Sequence, residues 1–570
     1  MRIFSFLLLS LFLALGACTS TQHSRAKETP TNSCIQANGM VVTAHFLASE
    51  VGRQILKDGG NAYDAAVAVQ FALAVVYPRA GNIAGGGFAV LRTGKGQYDA
   101  LDFREKAPLK AHRDMYLDQQ KEVIGDLSQT GHLAVGVPGS VDGMVKLHQK
   151  YGRLPWEKLV QPAVELAEQG VVLTAAEAAK LNVYRKRLLK ANGGKVYLAG
   201  EKEWQAGEVL RHPELAETLE RIRDKGRAGF YEGKTADLIV KEMQNHKGLI
   251  SYEDLNKYQS VWRTPVTGSY RGHKIISMPP PSSGGIALLQ LLKGTESYDL
   301  KKMGHNSPEH LHLMVELERR VYADRATWLG DPDFYEVPQE RLLSEEYITQ
   351  RMADIRMEGK TDSQAVKAGK VEVIESFETT HFSIVDREGN AIAITTTLNG
   401  NYGSKVVVKG GGFLLNNEMD DFSIKPGYPN QFGLVGGEAN AIAPEKRMLS
   451  SMSPTIVEKD GKLEMLVGTP GGSTIITAVY QNILNVIDFG MSMQEAVNAP
   501  RIHSQWLPDE VYLEPDVLNK ESRKKLEGFG HALVDQSRIG MMANILIRPD
   551  GLLEGAADTL RHKDSRALGY

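Results

Sequence analysis

The chain has 570 residues, 42% of them hydrophobic and 24% charged, with 66 Lys and Arg against 69 Asp and Glu. That is enough apolar material for a sizeable core, arranged as several average domains or as one large elaborated fold. The formal net charge of −3 excludes an electrostatic case for nucleic acid as a partner.

At the N-terminus, "MRIFSFLLLSLFLALGACTS" places Arg2 before an apolar run and small residues, the layout of a secretory signal peptide. The run is too short for a comfortable membrane span. "LGAC" resembles a bacterial lipobox, in which the cysteine, here Cys18, is lipidated after cleavage. Residues 1–17 then form the signal peptide and 18–34 a flexible polar tether that holds an exported body off a membrane. An ordinary signal peptide, releasing a soluble periplasmic protein, is the alternative. Cys18 and Cys34 are the only cysteines, so lipidation of Cys18 leaves no intramolecular disulfide. No metal-binding cysteine set and no HExxH pattern occurs; no metal and no cofactor is expected.

Further on, "ASEVGRQILKDGGNAYDAAVAVQFALAVVYP" predicts two packed helices broken at Gly59-Gly60, the second small, apolar and buried. "GGGFAVLRTG" and "YDALDFREKAP" predict paired strands. Residues 140–260 are mostly amphipathic helices. "MPPPSSGGIALLQLLKG" is a rigid loop feeding a helix, and "SPEHLHLMVELERRVYADRATWLG" is a long helix. The charged stretch that ends in "KAGKVEVIES" loses its apolar period and reads as a solvated loop. "TTHFSIVD" and "AIAITTTL" then flank "REGN", a hairpin signal. With Arg387–Asn390 as the turn, Asp386 faces Ala391 and Thr379 faces Leu398 to within about one residue, which brings Thr397 and Asn399 beside Thr379. Strands are expected in "GGFLLNNEMDDFS" and "KLEMLVGTPGG", and a helix in "STIITAVYQNILNVIDFG".

A threonine at a strand start is ordinarily structural. Its hydroxyl becomes a nucleophile only beside a base, and one source of that base is its own amine when the residue is a chain terminus. This requires a cut before Thr379, where the charged, weakly patterned segment is suited to release. Acyl transfer also needs an oxyanion hole; "GTPGGSTII" offers a strand, the Gly471-Gly472 turn and a helix start.

With these residues in view, the chain resembles the γ-glutamyltransferase (glutathione hydrolase) family of the N-terminal-nucleophile hydrolase class. The resemblance spans about Gly39 to Tyr570. It is carried by "GGNAYDAAVAV", "AGNIAGGGF", "LDFRE", "VGVPGSVDG", "PPPSSGG", "TTHFSIVD", "LLNNEMDDFS", "LSSMSPTIV", "GTPGGS" and "NAPRIH", in that order.

The resemblance implies an α+β fold, a four-layer αββα sandwich, made as a proenzyme that cuts itself between Glu378 and Thr379. A large subunit (35–378) and a small subunit (379–570) then form one heterodimer. It implies that Thr379 attacks the γ-carbonyl of a γ-glutamyl compound such as glutathione, with Gly471 and Gly472 amides holding the oxyanion and Thr397 bonding the nucleophile. Water or an amine acceptor then takes the γ-glutamyl group. Arg104, Ser450 and Ser451 match residues that bind the α-carboxylate; Asn399, Glu418 and Asp421 match those that bind the α-ammonium. "KPGYPNQFGLVGG" matches a lid loop, with Phe432 where many bacterial members carry a tyrosine that bonds a site asparagine. Thr380 and His381 are assigned supporting and structural roles. Two other readings are a related acylase acting on glutaryl side chains and an inactive lipid-anchored binding protein; Arg104, Asp421, the lid and the intact Thr379 weigh against them.

Overall fold

The structure is a computed structural model and describes residues 33–362 and 379–570. The signal segment, Cys18, Glu378 and the charged stretch before it lie outside the described residues.

Two seven-stranded antiparallel sheets form the centre. The first has the order Arg566–Gly569, Met40–Thr43, Thr380–Val385, Ala391–Thr397, Gly86–Arg92, Tyr98–Asp102, Val261–Arg263. The second runs Cys34–Gln36, Leu553–Ala557, Ala543–Ile547, Lys462–Val467, Thr455–Lys459, His273–Ser277, Val266–Tyr270. Cys34, a free half-buried thiol, thus opens a strand at the last position expected of the tether.

Alternation along the strands stacks the sheets. Met40, Val42, Phe88 and Val90 face Ile276, Ile456, Leu466 and Ile545 of the second sheet in one core. Val41, Ala89, Leu91, Phe382, Ile384, Ile392 and Ile394 face the opposite way, onto the helices Phe46–Lys57, Ala62–Val76 and Ser140–Tyr151. Helices Gly284–Thr295, Pro308–Trp328 and Ile475–Ile487 cover the other side of the second sheet. The result is the expected αββα sandwich. Because both faces of the inner strands are covered, "THFSIV" and "AIAITTT" are buried at every position and read as nearly continuous apolar or β-branched runs.

The two N-terminal helices stand as expected. Lys57 ends the first, Gly59 turns with φ 92°, and Asn61 caps the second through a capping box with Asp64. The long helix is started by Ser307, whose hydroxyl accepts from His310 N at 3.1 Å, and by Pro308 in its first turn.

The hairpin forms with its register one residue from the count. Val385 faces Ala391 and Thr380 faces Thr396, so Thr379 adjoins Thr397 rather than Leu398. The reason is a shorter loop. Asp386 N donates to Asn390 O at 3.0 Å, Gly389 takes φ 78°, and the Asp386 carboxylate accepts from Glu388 N and Asn390 N.

One expected strand is absent. "GGFLLNNEMDDFS" contains an isolated Val407–Leu414 bridge and a 3-10 turn at Glu418–Asp421, with no strand. Gly410 and Gly412 have positive φ, and Asn416 supplies side-chain partners that a ladder would otherwise give, to Ala84 O, Gly136 O and Gly136 N.

Candidate active site

Thr379 begins the Thr380–Val385 strand and is 5% exposed. Its Oγ1 lies 3.5 Å from Thr397 Oγ1 on the partner strand, as the hairpin count anticipates. Thr397 Oγ1 also accepts Asn399 N at 2.8 Å, which orients that hydroxyl. Asn399 takes φ 72° and spends its side-chain amide on Asn417 O at 3.0 Å.

The Lys462–Val467 strand leads into the glycine turn and then the Ile475–Ile487 helix. Gly471 and Gly472 take φ 145° and 54°, conformations that L side chains rarely adopt. A Cβ on Gly472 would also sit 2.5 Å from the Phe432 ring. Tyr322 OH donates to Ser473 O and fixes the turn from the long helix.

Arg104 follows the Tyr98–Asp102 strand and is fully buried, with neither the solvation nor the isolation of a surface ion pair. Its Nη1 donates to Glu418 Oε1, its Nη2 to Asp421 Oδ2 at 2.5 Å, and Glu105 Oε2 lies 3.7 Å away. Burial alone would lower the Arg104 pKa; Glu418, Asp421 and Glu105 outweigh it and hold the guanidinium charged. The acids pay the opposite cost. Burial pushes Glu105 up to about 7 against the pull of Arg104, and raises Glu418 and Asp421 as well. The Glu418–Asp421 turn is therefore a buried acidic wall around one arginine, not a solvated acidic loop.

Ser450 and Ser451 line the same pocket. Ser283 holds the first of them, its N and Oγ both donating to Ser450 O, at 2.8 and 2.6 Å. Arg325, which the sequence reading did not single out, completes this wall. Its Nε donates to Ser283 Oγ at 3.0 Å and its Nη2 to Ser451 Oγ at 3.2 Å. It forms no ion pair among the described residues, and burial pulls its guanidinium down to about 10. In "ELERRVYADR" it reads as one charge in a solvated run. Its only signal is position: Glu318, Tyr322 and Arg325 are spaced i, i+4, i+7 on one helix face.

The lid loop closes over these groups. Asn430 Nδ2 donates to Asp421 Oδ1 at 2.9 Å, while its Oδ1 accepts Phe432 N and Leu434 N. Gln505 Nε2 donates to Phe432 O at 3.0 Å, and the Phe432 ring covers Gly472. Thr379, Thr397, Asn399, Arg104, Glu418, Asp421, Phe432, Ser450, Ser451 and Gly472 thus meet around one cavity of about 20 Å³. His381 is turned away from this chemistry. Its ring nitrogens lie against Thr395 Oγ1 and Ser383 Oγ at 2.8 and 3.1 Å, and burial lowers its pKa to about 3. It packs where Gly468 has no side chain, since a Cβ there would meet the ring at 2.1 Å.

Stacked antiparallel sheets between helix layers, with a threonine heading an inner strand, define an N-terminal-nucleophile hydrolase. A family model described as Gamma-glutamyltranspeptidase matches residues 48–568, and the chain belongs to that family. It is 46% identical over 534 residues to the glutathione hydrolase proenzyme of Escherichia coli, covering 93% of this chain and 92% of that protein. Among solved structures, a γ-glutamyltranspeptidase chain from Helicobacter pylori is 46% identical with a TM-score of 0.56, over 57% of this chain and 93% of that one. A cephalosporin acylase from Bacillus halodurans aligns with a TM-score of 0.83 at 26% identity, covering 96% of this chain and 98% of that one.

Proposed function

We propose that the protein transfers and hydrolyses γ-glutamyl groups, with glutathione and related compounds as donors, after cutting itself between Glu378 and Thr379. The observation that carries this reading is the pocket that joins Thr379, Gly472 of the glycine turn and a set of paired charges; Gly471, next to Gly472, does not itself line it. A zwitterionic amino-acid end needs opposite charges at fixed positions; a glutaryl end, which lacks the ammonium, gains nothing from Glu418 and Asp421.

In maturation, Thr379 Oγ1 attacks the Glu378 carbonyl carbon and the Glu378–Thr379 C–N bond breaks, the hydroxyl proton passing to the nitrogen, which becomes the free Thr379 amine. Water then hydrolyses the resulting ester, which returns the Thr379 hydroxyl and leaves Glu378 with a carboxylate. In turnover, that amine takes the hydroxyl proton as Oγ1 attacks the γ-carbonyl. The Gly471 and Gly472 amides donate to the oxyanion. Collapse expels the amine product, which takes the proton, and leaves a γ-glutamyl ester on Thr379. Water or an acceptor amine then attacks that ester, giving hydrolysis or transfer. The Thr397 hydroxyl, fixed by Asn399 N, orients the nucleophile. Arg104, Ser450, Ser451 and Arg325 receive the α-carboxylate; Asn399, Glu418 and Asp421 receive the α-ammonium. Phe432 walls the pocket without the hydroxyl of a lid tyrosine.

The test is a comparison of wild type with Thr379→Ala. The wild type is expected to give two bands on a denaturing gel, with mass spectrometry finding a Thr379 N-terminus, and to cleave γ-glutamyl anilide in preference to glutaryl anilide. The variant is expected to stay one band with activity lower by about 10⁴-fold or more. An uncut, active wild type, or equal turnover of the two anilides, sinks the reading. The same reading places the large subunit at 35–378, the small subunit at 379–570 and a lipid on Cys18 after residues 1–17 are removed. A Cys18→Ser protein is then expected in the soluble fraction, while wild type stays with membranes until detergent is added; identical partitioning rules the anchor out.

A further inference from the structure

Away from the catalytic pocket lies a cavity of about 600 Å³, bordered by Tyr197, His212, Glu214, Glu242, His246 and Lys409. At its edge two histidines converge on one carboxylate. Glu242 and His246 are four residues apart at the end of the Gly233–Asn245 helix and share a face. His132 opens a short 3-10 turn, and its neighbours pin it there: Gly131 N donates to Ser404 O at 3.0 Å and Tyr116 OH to Leu133 O at 2.7 Å.

His132 Nε2 is 2.9 Å from Glu242 Oε1, and His246 Nε2 is 3.4 Å from the same oxygen. The two rings stack with centroids 4.5 Å apart and planes 16° apart. One ligand atom from each of the three side chains thus lies within 4.8 Å of the others. Two imidazole nitrogens and one carboxylate oxygen converging in this way are an arrangement that a single divalent cation can bridge.

We propose that His132, Glu242 and His246 form a binding site for a zinc-class divalent cation. Two imidazoles and one carboxylate suit zinc and its neighbours rather than calcium or magnesium, which prefer all-oxygen shells. Ligand distances of about 2.0–2.2 Å place tetrahedral donors roughly 3.3–3.6 Å from one another, and the three donor atoms here already lie within 4.8 Å of one another. His246, with 53% of its side chain exposed, is free to make the small adjustment left. Each ring binds as the neutral tautomer, with its proton on Nδ1 and the Nε2 lone pair on the metal; a ring that was protonated releases that proton to solvent. The coordination positions left over open to water and the large cavity. His132 and Glu242 are 110 residues apart in sequence, so no contiguous motif announces the site. All three ligands precede Thr379, so the site does not depend on cleavage or on the catalytic reading. The buried Glu177, His562 and Asp564 are a weaker candidate because the Arg79 guanidinium lies 3.5 Å from Glu177 and repels a cation.

Isothermal titration calorimetry on the mature protein, with zinc ion alone as the probe, tests this. Wild type is expected to bind one equivalent. His132→Ala and His246→Ala are each expected to weaken binding by about 10-fold or more, and the double variant to abolish it, while His562→Ala leaves it unchanged. Far-UV circular dichroism and normal subunit cleavage establish that the variants fold. Zinc should raise the unfolding midpoint of wild type and not of the double variant. The proposal is overturned if wild type shows no saturable binding, if the double variant binds as wild type does, if magnesium competes equally, or if His562→Ala removes the binding.

Discussion

Arg325 is held by hydroxyls alone, Ser283 and Ser451, in a pocket where Arg104 already faces three acids. Burying an unpaired charge costs several kcal/mol unless something repays it. Under the proposed function the substrate's α-carboxylate is that repayment. A hydrogen bond to a charged group contributes about 1.5–3 kcal/mol, or roughly 10- to 100-fold. Arg325→Gln is therefore expected to raise KM for γ-glutamyl donors by about that factor with kcat little changed, and Arg325→Lys to recover part of the loss. The discriminating measurement is inhibition by L-glutamate against 4-aminobutyrate, which lacks the α-carboxylate. Glutamate should weaken and 4-aminobutyrate should not; an equal loss for both means that Arg325 only packs.

The elements that could be read in advance are those whose pattern is local. The hairpin, the helix pair broken at Gly59-Gly60 and the helix after "GTPGGS" each carry their own turn or cap chemistry, and each forms where expected. The register slipped by one because three side-chain and backbone bonds of Asp386 tighten the loop, a tertiary detail that includes Ala62 N. The strand assigned to "GGFLLNNEMDDFS" failed because Asn416 bonds Ala84 and Gly136, residues some three hundred positions away. The site divides in the same way. Thr379 and Gly471-Gly472 stand out through local chemistry and motif, whereas Arg325, Asn430 and the His132–Glu242–His246 cluster acquire meaning only from partners that folding delivers. The lid shows both cases. Its Gly- and Pro-rich sequence marks a loop, but its fastening through Asn430 to Asp421 and through Gln505 to Phe432 is visible only in three dimensions.

At the scale of the whole molecule, the proposed cut falls inside a fold that does not divide there. Five strand pairings join residues on opposite sides of Thr379: Cys34–Gln36 with Leu553–Ala557, Met40–Thr43 with Thr380–Val385 and with Arg566–Gly569, Gly86–Arg92 with Ala391–Thr397, and His273–Ser277 with Thr455–Lys459. Arg104 with Glu418 and Arg92 with Glu458 add buried ion pairs across the same divide. Neither piece keeps a complete sheet alone, so the two subunits are expected to co-elute under native conditions and to separate only in denaturant. Cleavage nevertheless changes the thermodynamics, because unfolding now releases two molecules instead of one. Where unfolding is reversible, the stability of the mature protein should fall by about 1.4 kcal/mol for each tenfold dilution. The denaturant midpoint of uncut Thr379→Ala should be independent of concentration. A mature form whose midpoint ignores dilution would mean that the subunits stay associated when unfolded or that the chain is never cut, and the denaturing gel separates those two outcomes.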